Sequence, residues 1–449
     1  MPVLLMKSIL IKDGTLLTMD EQKGILFGDL LIRDGLIASI GESGQTAETI
    51  IDAAGCAVLP GFVQTHVHLC QTIFRGAADD LPLLDWLKKR VWPLEAAHDA
   101  ASIKASAALG VAELIKGGTT CALTMETVSH TEEVFRVVED AGFRATIGKC
   151  MMDKGDDVPA ALHERTDASV ADSLALLATW HGRANGRIRY CFAPRFALSC
   201  TSELLSRVGQ LAKERNVIVH THASENKNEC ALVESETGLR NVAYLDSLGV
   251  SGRHVVLAHC VHLDAAEFQT LAATRTNVAH CPSSNLKLGS GIAEITRMLD
   301  QGISVSLGAD GAACNNRLDM FTEMRSMALL QKALHGPDAM PAQQALRIAT
   351  IEGAKALGLE KEIGTLEVGK RADVIVVNLA TLHSTPRSDD AVSMLVYSGQ
   401  TSDVKSVIID GQLLMRDQEL LTLDEKTVHL NANRERVELM KRSGIGEPE

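Results

Sequence analysis

No cluster of lysine or arginine interrupts the acidic balance of this chain, whose formal charge is -13. That excludes a protein that tracks a nucleic-acid backbone. No apolar run approaches the roughly 20 residues of a membrane-spanning helix, so no membrane association is expected. The opening MPVLLMKSILIKDG has an apolar patch but neither a basic start nor a small-residue cleavage site, and no secretory leader is expected from it. Ten cysteines are scattered without a CxxC pair. In a chain this long they read as reduced, mostly buried thiols rather than as staples. Aromatic residues are scarce, at 3%. GxGxxG and P-loop strings are missing, which removes nucleotide binding of those types. A cytoplasmic protein is the expectation.

What is present suits a large globular chain: 449 residues, 46% hydrophobic and 22% charged. Residues 1–58 alternate short β-prone runs with turns (SILIKDG, TLLTMD, GDLLIRDGLIASIG, ETIIDAAGCAVLP). The same pattern returns in GTLEVGKRADVIVVNL and DVKSVIIDGQLLM, so the two ends are expected to share one small β-sandwich, residues 368–449 adding its second part and a C-terminal helix. Between 59 and 367, short apolar runs alternate with helical segments. The runs RATIGKCMM, RIRYCFAPR, VIVHTHA, HVVLAHC, TNVAHCPSS and ISVSLGAD read as strands, and ASIKASAALGVAELIKGG as a helix ended by Gly117-Gly118. Such alternation implies parallel βαβ units, and its length suits a (β/α)8 barrel. A doubly wound open sheet is the alternative architecture.

Polar residues then fall at the ends of those strands. In GFVQTHVHLCQ, His66 and His68 are two apart, so in a strand both project from one face with Cα atoms about 6.5 to 7 Å apart. Two imidazoles so placed can reach one metal ion, although a lone HxH is also what ordinary core or surface histidines produce. Further groups follow in order: His220, His222 and Glu225 in VIVHTHASE, His259 in VVLAHC, His280 in VAHCPSS and Asp310 in SVSLGAD. In a barrel these strand ends converge on one mouth, where catalytic groups sit. Imidazoles with a carboxylate suit Zn²⁺ or Fe²⁺ rather than Mg²⁺ or Ca²⁺. A cation of this kind lowers the pKa of bound water from 15.7 to about 7, which points to hydrolysis.

PGFVQTHVHL, HTHASE, AHC and LGAD in this order resemble the amidohydrolase superfamily, specifically its aminohydrolase branch, over nearly the whole chain. The resemblance implies that His66, His68, His222 and Asp310 ligate one metal ion, Zn²⁺ or alternatively Fe²⁺. It further implies that His259 hydrogen-bonds the activated water and Asp310 accepts its proton, while Glu225 carries a proton to a ring nitrogen of the substrate. His220 faces the same way as His222 and is a rival ligand on geometry alone; the family's HxxE pattern selects His222 with Glu225. The fourth strand carries Arg195 and no bridging lysine, so one metal is expected rather than two.

Two sub-families compete for the substrate. LPLLDWLKKRVWPLE, HCPSSNLKLGSG and LGADGAACNNRLDMFTEMR resemble deaminases of S-adenosylhomocysteine, methylthioadenosine and 5'-deoxyadenosine. There Glu95 would hold ribose hydroxyls, Trp86 would line the pocket, and Lys149, standing where an arginine is usual, would meet a substrate carboxylate. GKCMMDKGDDVP, APRFALSCT and HASENKNE instead resemble guanine deaminase, in which Gln71, Arg195 and Phe196 would grip the purine. Triazine hydrolases, sharing HVHLxQT, are a third relative. The expectation is a hydrolytic deaminase of an adenosine-type nucleoside, with guanine and s-triazine as alternatives and a catalytically dead barrel scaffold as the reading from another class. Its partner is a small aminated N-heterocycle, and a homo-oligomer follows from symmetry base rates.

Overall fold

The computed structural model describes residues 8–446, so the first seven residues of the leader-free reading lie outside it. Five strands come from the N-terminal part: β1 (Ile9–Leu17), β2 (Ile25–Arg33), β3 (Leu36–Ile40), β4 (Thr49–Asp52) and β5 (Cys56–Pro60). SILIKDG and TLLTMD, which read as two runs, form the single strand β1, whose pairing with β2 shifts register between Ile11 and Gly14. Asp34 and Gly35 both have positive φ, the requirement of a two-residue type I′ hairpin between β2 and β3.

The central region closes eight parallel strands into a (β/α)8 barrel: β6 (Phe62–His68), β7 (Thr119–Met125), β8 (Arg144–Met151), β9 (Ile188–Pro194), β10 (Ile218–Ala223), β11 (Val255–His259), β12 (Asn277–His280) and β13 (Val305–Leu307). Closure comes from Leu307 pairing with Gln64, and a two-residue β14 (Asp310–Gly311) adds to the C-terminal half of β6. β7 was not among the runs that read as strands. It is buried at every position, so TTCALTM shows no alternation, only a short apolar stretch after a helix end. TNVAHCPSS is strand only as far as His280, because Pro282 opens a helix, Pro282–Lys287, with proline at its first turn. ISVSLGAD splits at Gly308, where a Cβ would lie 2.7 Å from the His66 carbonyl. Only glycine lets the chain pass that close to the ligand-bearing strand.

The C-terminal part returns to the first sheet with β15 (Val374–Asn378), β16 (Val404–Ile409), β17 (Gln412–Arg416) and β18 (Glu419–Leu420). β15 pairs antiparallel with β5, giving the order β18-β17-β16-β15-β5-β1-β2-β3 with β4 on β1. A second Asp-Gly hairpin, Asp410-Gly411, joins β16 to β17, again with positive φ at both residues. The two hairpin turns abut: a Cβ on Gly411 would lie 2.4 Å from the Cα of Gly35. The sheet wraps its own core of Ile9, Ile11, Leu30, Ile32, Val58, Val374, Val376 and Ile408. The final helix, Glu425–Ser443, packs on the outer helix Ala100–Lys116, burying Val428, Leu439 and Met440. All ten cysteines are buried and unpaired. Among the described residues no helix is long and apolar enough to cross a membrane.

Barrel and sheet are locked by one buried ion pair. Arg144, at the start of β8, donates Nε and Nη2 to the two oxygens of Asp373 at 2.7 and 2.9 Å, with side chains 2% and 1% exposed. Asp373 also accepts the Asp410 amide, so the same carboxylate fixes the second hairpin. Removing one member of such a pair strands the other charge in a dry site. R144A is expected to lose about 3 to 5 kcal/mol of unfolding free energy, and denaturant titration at fixed pH measures it.

Candidate active site

Three strand ends, those of β6, β10 and β11, deliver imidazoles to the mouth, and the hydrogen bonds behind them fix their tautomers. His68 Nδ1 lies 2.7 Å from the Met125 carbonyl and His222 Nδ1 lies 2.7 Å from the Arg195 carbonyl. A carbonyl only accepts, so both Nδ1 atoms carry the proton and both Nε2 atoms present lone pairs. His220 Nδ1 donates to the Val256 carbonyl at 3.1 Å, leaving its Nε2 to accept from His66 Nδ1 at 2.7 Å. His66 therefore also aims an Nε2 lone pair inward. His259 does the same, with Nδ1 donating to Asn285 Oδ1 at 2.8 Å.

The inward atoms crowd together. Asp310 Oδ1 lies 3.2 Å from both His66 Nε2 and His68 Nε2, and His68 Nε2 lies 3.3 Å from His222 Nε2. His66 Nε2 and His259 Nε2 are buried without a hydrogen-bond partner. Facing lone pairs repel unless a cation lies among them. Two groups that share His66, namely His66, His222 and His259, and His66, His68 and Asp310, each bring their ligand atoms within 4.8 Å of one another, and imidazole nitrogens with one carboxylate oxygen are a donor set that fits a divalent metal. Of the two histidines of β10, His222 reaches the cluster, and His220 lies one layer deeper, behind His66.

Electrostatics separate the two carboxylates. Burial alone would raise Asp310, but His66 and His68 overcome it and hold the group well below the usual range. Glu225 is pushed well above its usual value by burial, with Asp310 and Glu229 adding to the rise. The two environments thus pull the carboxyls apart, Asp310 toward its ionised form and Glu225 toward its protonated one, the separation that acid-base hydrolysis needs. Burial also pushes His66 down to about 4 and His222 well below its ordinary value, so both remain neutral ligands. The backbone is strained at the same place: His259 and Asp310 have φ of 75° and 64°, a conformation that costs a non-glycine residue about 1 to 3 kcal/mol.

The cavity above this cluster is lined by His68, Leu83, Trp86, Leu87, Arg195, Phe196, His222, Glu225, His259, Leu288 and Asp310. Trp86, Arg195 and Phe196 are thus brought to the wall. Gln71, Glu95 and Lys149 are not. Glu95 instead takes Arg195 Nη1 at 2.5 Å on one oxygen and Arg195 Nη2 at 3.2 Å and Gln71 Nε2 at 2.9 Å on the other. A buried guanidinium requires such a counterion. Lys149 turns instead to Glu164, at 2.6 Å, and to the Cys150 carbonyl. The leucines escaped the sequence reading, although Leu83, Trp86 and Leu87 stand at helical spacing in LPLLDWL and could have been read as one face. Ser284 and Asn285 escaped it too. Ser284 donates to Asp310 Oδ2 at 2.7 Å. Because His220 alone sets the tautomer of His66, H220A is expected to weaken metal affinity about 10- to 100-fold, as competition with a chromogenic chelator would measure.

Comparison with known proteins agrees with this geometry. The 5'-deoxyadenosine deaminase of Methanothermobacter thermautotrophicus is 42% identical over 94% of this chain and 96% of its own length. The 5-methylthioadenosine/S-adenosylhomocysteine deaminase of Pelotomaculum thermopropionicum is 39% identical over 97% of this chain and 100% of its own. A crystal structure of an adenosine deaminase from Xanthomonas campestris with bound zinc has a TM-score of 0.90 at 32% identity, covering 96% of this chain and 98% of that one. The amidohydrolase family pattern matches residues 57–414, from the last strand before the barrel into β17, so the histidine-aspartate mouth and the sheet that brackets it are those of a member of the amidohydrolase family.

Proposed function

We propose that the chain is a metal-dependent hydrolytic deaminase that exchanges an amino group on a purine ring for oxygen and releases ammonia. The observation that carries this reading is geometric: inward-facing Nε2 atoms gather beside Asp310, and Glu225 shares the same cavity 3.5 Å from His259 Nε2. A divalent ion held by His66, His68, His222 and Asp310 would supply Lewis acidity and a water acidified toward neutral pH. Zn²⁺ is the ion favoured by the donor set and by the zinc of the Xanthomonas enzyme, with Fe²⁺ its alternative.

The chain's own groups divide the proton work. Asp310 Oδ2, oriented by Ser284, accepts a proton from the attacking water. Glu225 delivers its proton to the ring nitrogen beside the amino-bearing carbon, so that no negative charge accumulates there. His259 Nε2, 3.5 Å from Glu225 and 3.8 Å from Asp310, lies between the two with a free lone pair and orients the nucleophile by accepting a hydrogen bond from it. Leu83, Leu87, Leu288, Trp86 and Phe196 exclude solvent and sandwich a flat ring. An adenosine-type nucleoside, namely 5'-deoxyadenosine, methylthioadenosine or S-adenosylhomocysteine, is the substrate supported by the named activities of the relatives. One observation favours a second reading, a free oxopurine such as guanine. Glu95, engaged by Arg195 and Gln71, lines no part of the cavity in which a ribose diol would have to meet it. The buried thiols fit a reducing cytoplasm, and a homo-oligomer is proposed on symmetry grounds.

Ammonia release measured across guanine, the three adenosine-type nucleosides and aminotriazines tests the reading directly. Turnover is expected from one purine class, and silence from all of them would sink the proposal. E225Q is expected to keep its metal while losing about 10²- to 10⁴-fold in kcat. Chelator treatment should abolish turnover, and Zn²⁺ should restore it.

A further inference from the structure

Two short segments at the mouth hold groups on which the reaction depends. The helix Pro282–Lys287 carries Ser284, which donates to Asp310 Oδ2, and Asn285, which accepts from His259 Nδ1. The turn after β13 carries Asp310 itself, in a left-handed conformation that must be held from outside. Neither segment is long enough to be rigid by itself.

Both segments meet on a single carboxylate. Glu323 lies in the first turn of the helix Met320–His335, is 0% exposed, and lines no part of the substrate cavity. Its Oε2 accepts the Ser283 amide at 3.1 Å, and its Oε1 accepts Asn315 Nδ2 at 2.9 Å. The second hydrogen of Asn315 Nδ2 goes to the carbonyl of Ala309, the residue before Asp310, at 2.7 Å. The chain of contacts is therefore closed. Glu323 grips the start of the helix that orients His259 and Asp310, and through Asn315 it grips the turn from which Asp310 projects. A buried carboxylate without an ion-pair partner is costly, and no described cation pairs with this one.

We propose that Glu323 is a positioning residue for the hydrolysis, holding the Ser283–Asn285 segment and the Ala309–Asp310 turn in one register so that His259 and Asp310 face the same water. The inference rests on the deaminase reading of the site. It gives Asn315 and Glu323, both in NNRLDMFTEMR, a part in the site although neither belongs to the metal cluster.

The test uses the full-length, metal-loaded enzyme. E323Q keeps shape but offers one acceptor oxygen, so one of the two grips is lost; N315A cuts only the grip on the Asp310 turn. Each is expected to lower kcat per bound metal about 10- to 100-fold, with KM and metal stoichiometry unchanged. The double variant is expected to lose no more than the worse single one, because both act through one linkage. Unchanged kcat per metal in both variants, losses that track metal loss, or losses that multiply would each overturn the inference. If E323Q fails to fold, N315A decides alone. A wild-type chain that deaminates nothing overturns the deaminase reading, and this inference with it; an active wild type beside unaffected variants overturns only this one.

Discussion

The site depends on where four protons sit. Each imidazole at the mouth gives its Nδ1 proton to a fixed acceptor: the carbonyls of Met125 and Arg195, the ring of His220, the amide of Asn285. Those acceptors belong to backbone or to buried side chains, so the tautomers are set by the fold rather than by the metal. Four lone pairs pointing at one another are unfavourable without a cation, and Asp310 provides only part of the compensation. The barrel thus sets up an electrostatic demand that a bound cation would satisfy.

Much of this was legible in the sequence, for physical reasons. Side chains two apart share a face of a strand, so THVH and HTH announce paired imidazoles, and parallel strands bring their C-terminal ends to one rim. The same rule could not separate His220 from His222, since both face the same way and differ only in depth along the barrel axis. That depth is a tertiary fact: His220 finds His66 and the Val256 carbonyl, while His222 finds the Arg195 carbonyl and the mouth. β7 was illegible because a strand buried on both faces loses its alternation. The break after β13 follows from one missing side chain, at Gly308, a consequence visible only once His66 is placed beside it.

Buried charge was the other thing that one dimension concealed. Arg195, Glu95 and Lys149 all read as groups for the ligand, yet each also has to be neutralised by the protein. Arg195 took Glu95, Lys149 took Glu164, and Arg144 took Asp373, pairs far apart in sequence. Only Arg195 of these lines the substrate cavity. The pairing turns two of the expected ligand-binding groups into structural counterions and leaves the wall mainly apolar, suited to a flat ring.

The contact between the two Asp-Gly turns bears on how the chain is made. β5 leaves the ribosome a whole barrel ahead of β15, the strand that covers its edge, and Gly35 waits longer still for Gly411. During that interval the nascent polypeptide exposes an unpaired edge of Cys56–Pro60 beside apolar β1. Synthesis from start to finish therefore leaves this sheet to close only after the barrel strands have been made, and makes it the segment in need of shelter from premature strand exchange.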